Sequence, residues 1–259
     1  MVSLLFLTLI SQPVDVDRAK ADELASSLSV AKLEEAVSIY ERLLKDSPGN
    51  FDLLLRAATG LNDIMSLKTQ QNLPYIDDGD LELSDTSANK KIWRRYGERA
   101  VDYAKQALDK KPQSREAALA YANSYMYVSS SMGIVSAILD GAAGTYKDNA
   151  QRLVDISPGY EDGVGYFFFA AFYLVAPWPM YDFDDSREYL TKALRSSPKS
   201  LRNHYLLGVL EFVEDNWDES EAAFNTVLAG SCRNRGERQI CAFIKKQARS
   251  ALAEIANAR

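Results

Sequence analysis

The sequence predicts an all-α solenoid of about five helical hairpins, closed by a C-terminal capping helix. Three observations carry that prediction. Prolines at 48, 112, 158 and 198 recur behind helix-period segments, each within a short breaker such as Asp46-Ser47-Pro48-Gly49-Asn50. Ahead of each breaker stand small and apolar side chains at three- and four-residue spacing, the period of one helix face. The chain then ends on Gly236–Ala258, with Ile240, Phe243, Ile244, Ala248, Ala251, Leu252 and Ile255 on one stripe and Lys245, Lys246 and Arg249 opposite. A solenoid must cover its last apolar face, and this helix is suited to do so.

Taken in order, residues 1–16 are an apolar N-terminal segment with two readings. Met1–Ile10 has the apolar core of an export signal but no Lys or Arg before it and no small-residue cleavage site after it. It equally suits a first helix that packs on the array, and it is too short to span a bilayer. Residues 17–232 form the array. Ala19 to Lys45 gives the first hairpin, with Ala36, Tyr40 and Leu43 before the break. Phe51 to Leu67 opens the second, with Ala57 and Ala58 where helices approach closely, and its partner begins near Trp93. Arg115 to Tyr127 pairs with Thr145 to Ile156. The fourth unit runs from Glu161 through an aromatic helix to Pro177-Trp178-Pro179, and on to Tyr189, Leu190 and Ala193. The fifth is the most regular: Leu201 to Val213, then Asn216 to Leu228, carrying Leu207, Gly208, Trp217, Ser220, Phe224 and Val227.

The spacing of that fifth unit resembles the 34-residue tetratricopeptide pattern of small and aromatic positions. Breaker-to-breaker distances of 64, 46, 40 and 34 residues locate the extra residues. They fall between the two helices of a hairpin each time, as insertions at 69–91, 132–144 and 177–183. Insertions that share one connection project from one edge of a solenoid, which makes that edge a candidate functional rim.

Composition narrows the function classes. A net charge of −6 and a pI near 5.0 leave no electrostatic footprint for nucleic acid. Gly141-Ala-Ala-Gly144 lacks the Lys and the Ser or Thr of a phosphate loop. In Asp77-Asp78-Gly79-Asp80-Leu81-Glu82 the glycine is misplaced for a calcium loop, so the run reads as a solvated loop. His204 is the sole histidine and sits in a packing slot of its helix. These patterns predict a non-enzymatic protein with no catalytic residue, no metal and no cofactor. Cys232 and Cys241 are the only cysteines, and a bridge between them requires residues 232–235 to fold back along the last helix. Gly163 to Tyr181 carries no charge over nineteen residues, yet its prolines, glycines and repeat register favour a buried helix over a membrane span.

From Pro158 to Leu228 the order of features is more specific: Gly163 and Gly165, an aromatic helix, Ala176-Pro-Trp-Pro179, an acidic turn, then Ser-Pro-Lys-Ser-Leu-Arg-Asn-His-Tyr-Leu-Leu207. This resembles the T-component of tetratricopeptide-associated TRAP transporters. The resemblance implies a periplasmic all-helical array with a central hydrophobic pore, self-association, and docking of a periplasmic substrate-binding protein. The chain departs from it in having no cysteine near the N-terminus for a lipid anchor. In tetratricopeptide proteins a fixed set of first-helix positions faces the concave groove. Carried over, these place Asn123, Met126 and Tyr127 of the third unit there, with Phe169, Phe172 and Tyr173 of the fourth and Arg202, Tyr205 and Phe212 of the fifth, and Trp178 beside them. Such a groove suits an apolar ligand or a partner protein. The alternative is a scaffold or co-chaperone, cytoplasmic or exported, that binds a peptide tail. Phe168 and Tyr146, bulky where the pattern wants small residues, predict splaying of the third and fourth hairpins.

Overall fold

A computed structural model describes residues 11–133 and 141–259 of the protein. Among them are eleven α-helices arranged as five hairpins and a cap. The hairpins are α1 (Ser11–Ser26) with α2 (Val30–Asp46), α3 (Phe51–Thr69) with α4 (Ser87–Lys110), α5 (Arg115–Met132) with α6 (Ala142–Ile156), α7 (Val164–Val175) with α8 (Phe183–Ser196), and α9 (Leu201–Val213) with α10 (Trp217–Ala229). The cap is α11 (Arg235–Ala258). Each helix packs on the next in sequence, as a solenoid requires.

The four proline breakers form one turn repeated four times. The residue before proline (Ser47, Lys111, Ser157 and Ser197) leaves the helical region, because the proline ring disfavours α geometry at the preceding residue. Its N–H closes the helix on the carbonyl four residues back, and its own carbonyl accepts the N–H of the residue three further on. In three of the four turns that last residue is Asn50, Ser114 or Ser200, whose side chain caps the following helix by accepting from Leu53, Ala117 or Asn203. The turn after Pro158 differs. There Glu161, Asp162 and Gly163 run through positive φ, and α7 begins six residues after its proline where α3, α5 and α9 begin three after theirs.

The structure departs from the sequence reading at several boundaries. Residues 11–16 belong to α1 rather than to a separate segment. Helix α3 runs to Thr69 and α4 starts at Ser87, so the first insertion is 70–86 and is not pure loop. Gln70, Gln71 and Asn72 form a left-handed corner, and Tyr75–Asp77 (β1) pairs antiparallel with Asp80–Glu82 (β2) in an otherwise all-α chain. The acidic run is the tip of this hairpin: Asp78 and Gly79 both take positive φ, the geometry of a tight two-residue hairpin turn. Helix α6 starts at Ala142. Most of the second insertion, at 134–140, lies outside the described residues. The third connection spans 176–182.

The hairpin insertion does not project freely. Ile76 is buried among side chains that include Tyr205 and Ile244, and the Tyr205 hydroxyl donates to the Pro74 carbonyl at 2.8 Å. The insertion of the second hairpin thereby reaches the fifth hairpin and the cap. Cys232 and Cys241 are joined by a disulfide with Cα atoms 6.1 Å apart, which fastens the entry segment to α11. No helix among the described residues is long and apolar enough to cross a membrane.

The splaying expected of the third and fourth hairpins does not extend to the joint between them, α6 against α7, although Tyr146 and Phe168 both line a cavity. Gly165 brings α7 against α6 so closely that an added Cβ would lie 3.0 Å from the Ala150 carbonyl and 3.0 Å from the Val154 nitrogen. Tyr146 and Phe168 pack edge-on at 5.5 Å beside that contact.

Candidate functional site

The superhelix curls until its cap meets the second hairpin, and the curl frames a half-open cavity of about 550 Å³. Its wall comes from one face each of α3, α5 and α7, from residues 71–74 at and just after the left-handed corner, and from the first turns of α6, α9 and α11. Helix α7 presents Val164, Phe167, Phe168, Ala171, Phe172 and Val175, a stripe at three- and four-residue spacing. Tyr146, Leu119 and Met126 continue the apolar surface, and the exposed Asp52, Thr59 and Glu116 mark a polar mouth.

One clasp holds the ring shut. Arg235, in the first turn of α11, donates from Nε and Nη2 to Asp63 of α3 at 2.9 and 2.7 Å, and from Nη2 to the Ala25 carbonyl. Gln239 donates to the other Asp63 oxygen at 2.7 Å and accepts from Ser66. Burial pushes the Asp63 carboxyl above the usual aspartate range, against the pull of Arg235 and Gln239.

Two three-residue left-handed runs, 70–72 and 161–163, both reach the cavity wall. Three of these six residues, Gln71, Asn72 and Glu161, line the wall and none of the three is glycine; backbone held this way persists only where its surroundings enforce it. At the second run the Glu161 carbonyl accepts from Arg202 Nη2 at 2.7 Å and the Asp162 carbonyl from Asn203. Asp162's carboxylate takes Ser197 and Asn234. Arg202 is 5% exposed, and its guanidinium lies 4.5 Å over the Phe167 ring. Burial lowers its pKa from the ordinary arginine value, while Glu237, Asp162 and Glu161 act in the opposite sense. Its Nε has no hydrogen-bond partner among the described residues, and neither has Asn72 Oδ1, also on a wall residue.

Of the ten residues the sequence pattern placed in the groove, Asn123, Met126, Phe172 and Arg202 line the cavity. The others do not share that surface. Tyr127 is in the core beside Trp93. Phe169 and Tyr173 stack on Tyr189 at 4.6 and 5.9 Å, between α7 and α8. Tyr205 is fully buried under the hairpin insertion, and Phe212 is buried edge-on to Trp217. Trp178 is 79% exposed on the turn before α8. The fourth-unit error has a plain cause. Counting positions from Pro158 ignores the three extra residues before α7, and at about 100° per residue that offset displaces the counted face by a net angle of about 60°. Of the residues this missed, Phe167, Ala171 and Val175 are found when the positions are counted from Gly163 instead, and Phe168 adjoins them.

Nothing in the described residues gathers a catalytic set around His204, whose Nε2 faces the Pro198 carbonyl at 3.0 Å. No group of three or more metal-ligating side chains is assembled among those residues.

Fold and cavity together define a tetratricopeptide-like helical solenoid curled around a cavity. Comparison agrees on the fold: residues 181–233 match the family described as tetratricopeptide repeat. The crystal structure of a thermophilic TPR protein of Thermus thermophilus is similar over 93% of this chain and 99% of that one, with TM-score 0.62 at 13% identity. A MamA protein structure covers 90% of this chain and 96% of its own, with TM-score 0.48 at 14% identity. No curated protein matches the sequence. At these identities the likeness concerns fold alone.

Proposed function

We propose that the protein is a non-enzymatic binding subunit that holds one small, largely apolar molecule inside the closed solenoid and engages a partner protein with its outer surface. The observation that carries this reading is the cavity: about 550 Å³, walled mainly by aromatic and aliphatic side chains and closed by the Arg235–Asp63 clasp. That volume is in the range of small-molecule sites, whose walls are mostly apolar with a few placed polar groups. The alternative of a peptide-tail co-chaperone needs a groove open along its length, and here the cap and the second hairpin meet across it. For the partner we infer a periplasmic substrate-binding protein of a TRAP transporter. Support comes from the feature order between Pro158 and Leu228, and for an exported location from the Cys232–Cys241 bridge, since disulfides persist in oxidising compartments.

The test is titration of the full chain with Nile red, a neutral fluorescent apolar probe, alongside native mass spectrometry. We expect one dye per chain, and loss of the site in Ala171→Trp, which fills the chamber from α7. Absence of any bound small molecule or dye, together with capture of an extended peptide, would transfer the assignment to the peptide-binding alternative.

A further inference from the structure

Resting on the cavity reading above, we infer that the ligand is an amphiphilic monocarboxylate, with its apolar body against the α7 stripe and its carboxylate on Arg202. The argument starts from an oddity of burial. An arginine 5% exposed normally has its fork of N–H donors taken up by carboxylates or carbonyls. Arg202 has one protein acceptor for the whole fork, the Glu161 carbonyl, and its buried Nε has none among the described residues. The carboxylates nearby are occupied elsewhere. Glu237 accepts from Ser200 and from the backbone nitrogens of Arg202 and Arg233, and Asp162 from Ser197 and Asn234. They keep a buried positive charge tolerable without filling its donors.

The ring against the guanidinium, Phe167, offers no side-chain hydrogen bond, and Phe168 continues the apolar wall, so the ligand's body there is hydrocarbon or aromatic. A carboxylate matches the unfilled fork because its two coplanar oxygens can take two parallel N–H groups. Glu161, on the same wall, has no side-chain hydrogen bond among the described residues, and burial pushes its carboxyl above the usual range against the pull of Arg202. The strained 161–163 run gives this arrangement a fixed frame, since it orients both the Glu161 carbonyl and the side chain.

The experiment is displacement of Nile red from the wild-type chain by dodecanoate, dodecanol and dodecylammonium, which share one tail. Dodecanoate should compete about tenfold or more better than dodecanol, as a charge-assisted pair with a buried guanidinium implies. In Arg202→Gln that preference should vanish while dodecanol competes as before. If dodecanol or dodecylammonium competes as well as dodecanoate, the Arg202 assignment falls and the apolar cavity stands. Failure of all three, with no dye bound, removes the cavity reading itself. The wild-type series decides the matter without the variant, should Arg202→Gln not fold.

Discussion

Arg235 and Asp63 are 172 residues apart in sequence and 2.7 Å apart in the fold, and this contact turns an open array into a ring. An isolated solenoid contacts only its neighbours, repeat by repeat. Here the cap touches the second hairpin, so the two halves of the chain stabilise one another through a partly buried ion pair.

Arg235→Ala should therefore loosen the ring more than it unfolds the repeats. Asp63 has a side chain 13% exposed and would be left without its cation. The cost should fall between that of an exposed pair and that of a fully buried one, about 1–3 kcal/mol. Hydrogen exchange should rise in residues 70–86 and in the first turns of α11, with little change in α4 and α5. Uniform exchange across the chain would show that the clasp is incidental.

The same pair predicts a pH dependence. Burial raises Asp63's folded-state pKa above its unfolded value near 3.9, so the folded form retains a proton that the unfolded chain releases. The stability this contributes is complete below that unfolded value and is lost as pH rises through the folded pKa. The stability of wild type relative to Asp63→Asn should thus decline as pH is raised from the acid side of that window toward neutrality. Urea titrations of both proteins at several pH values measure this, and a constant difference would refute it.

How far the sequence goes can be seen from particular residues. The four proline turns were legible because each encodes its own geometry: a pre-proline residue driven out of the helix and, in three of them, a capping side chain three residues on. The clasp was not, because nothing local to Asp63 or Arg235 reports a partner so distant in sequence. Asp78-Gly79 did carry a local hairpin signal, since that dipeptide suits a tight turn with two positive φ angles, but acidity drew the reading toward solvent. The cavity wall was half legible. Asn123 and Met126 follow from repeat register, whereas the α7 stripe is displaced by three residues that only the left-handed run at 161–163 explains.

Tyr205 separates a groove role from a structural one. Its ring is fully buried and its hydroxyl serves the Pro74 carbonyl, so it holds the hairpin insertion and does not face the chamber. Tyr205→Phe should cost about 1–3 kcal/mol by leaving a buried carbonyl without its donor, and should leave Nile red affinity unchanged. Loss of dye binding without loss of stability would return Tyr205 to the binding surface.

Two glycines twenty-one positions apart should respond in opposite directions to the same substitution. At Gly165 a new methyl would meet Val154 Cγ2 at 2.9 Å and the backbone of Ala150 and Val154 at 3.0 Å, and backbone cannot step aside as a flexible side chain can. Alanine there gains up to about 1 kcal/mol in helix propensity but forces α6 and α7 apart, an overpacking cost of about 1–3 kcal/mol. The cost should win. It should also widen the chamber where Tyr146 meets Phe168, and so weaken dye binding as well as stability. At Gly144, in the first turn of α6, a Cβ would meet nothing within 4 Å, so only the propensity term remains and Gly144→Ala should be neutral or stabilising by up to about 1 kcal/mol. Thermal denaturation of the two variants side by side is the measurement. Equal effects would mean that the α6–α7 contact is not the close-packed joint on which the chamber wall depends.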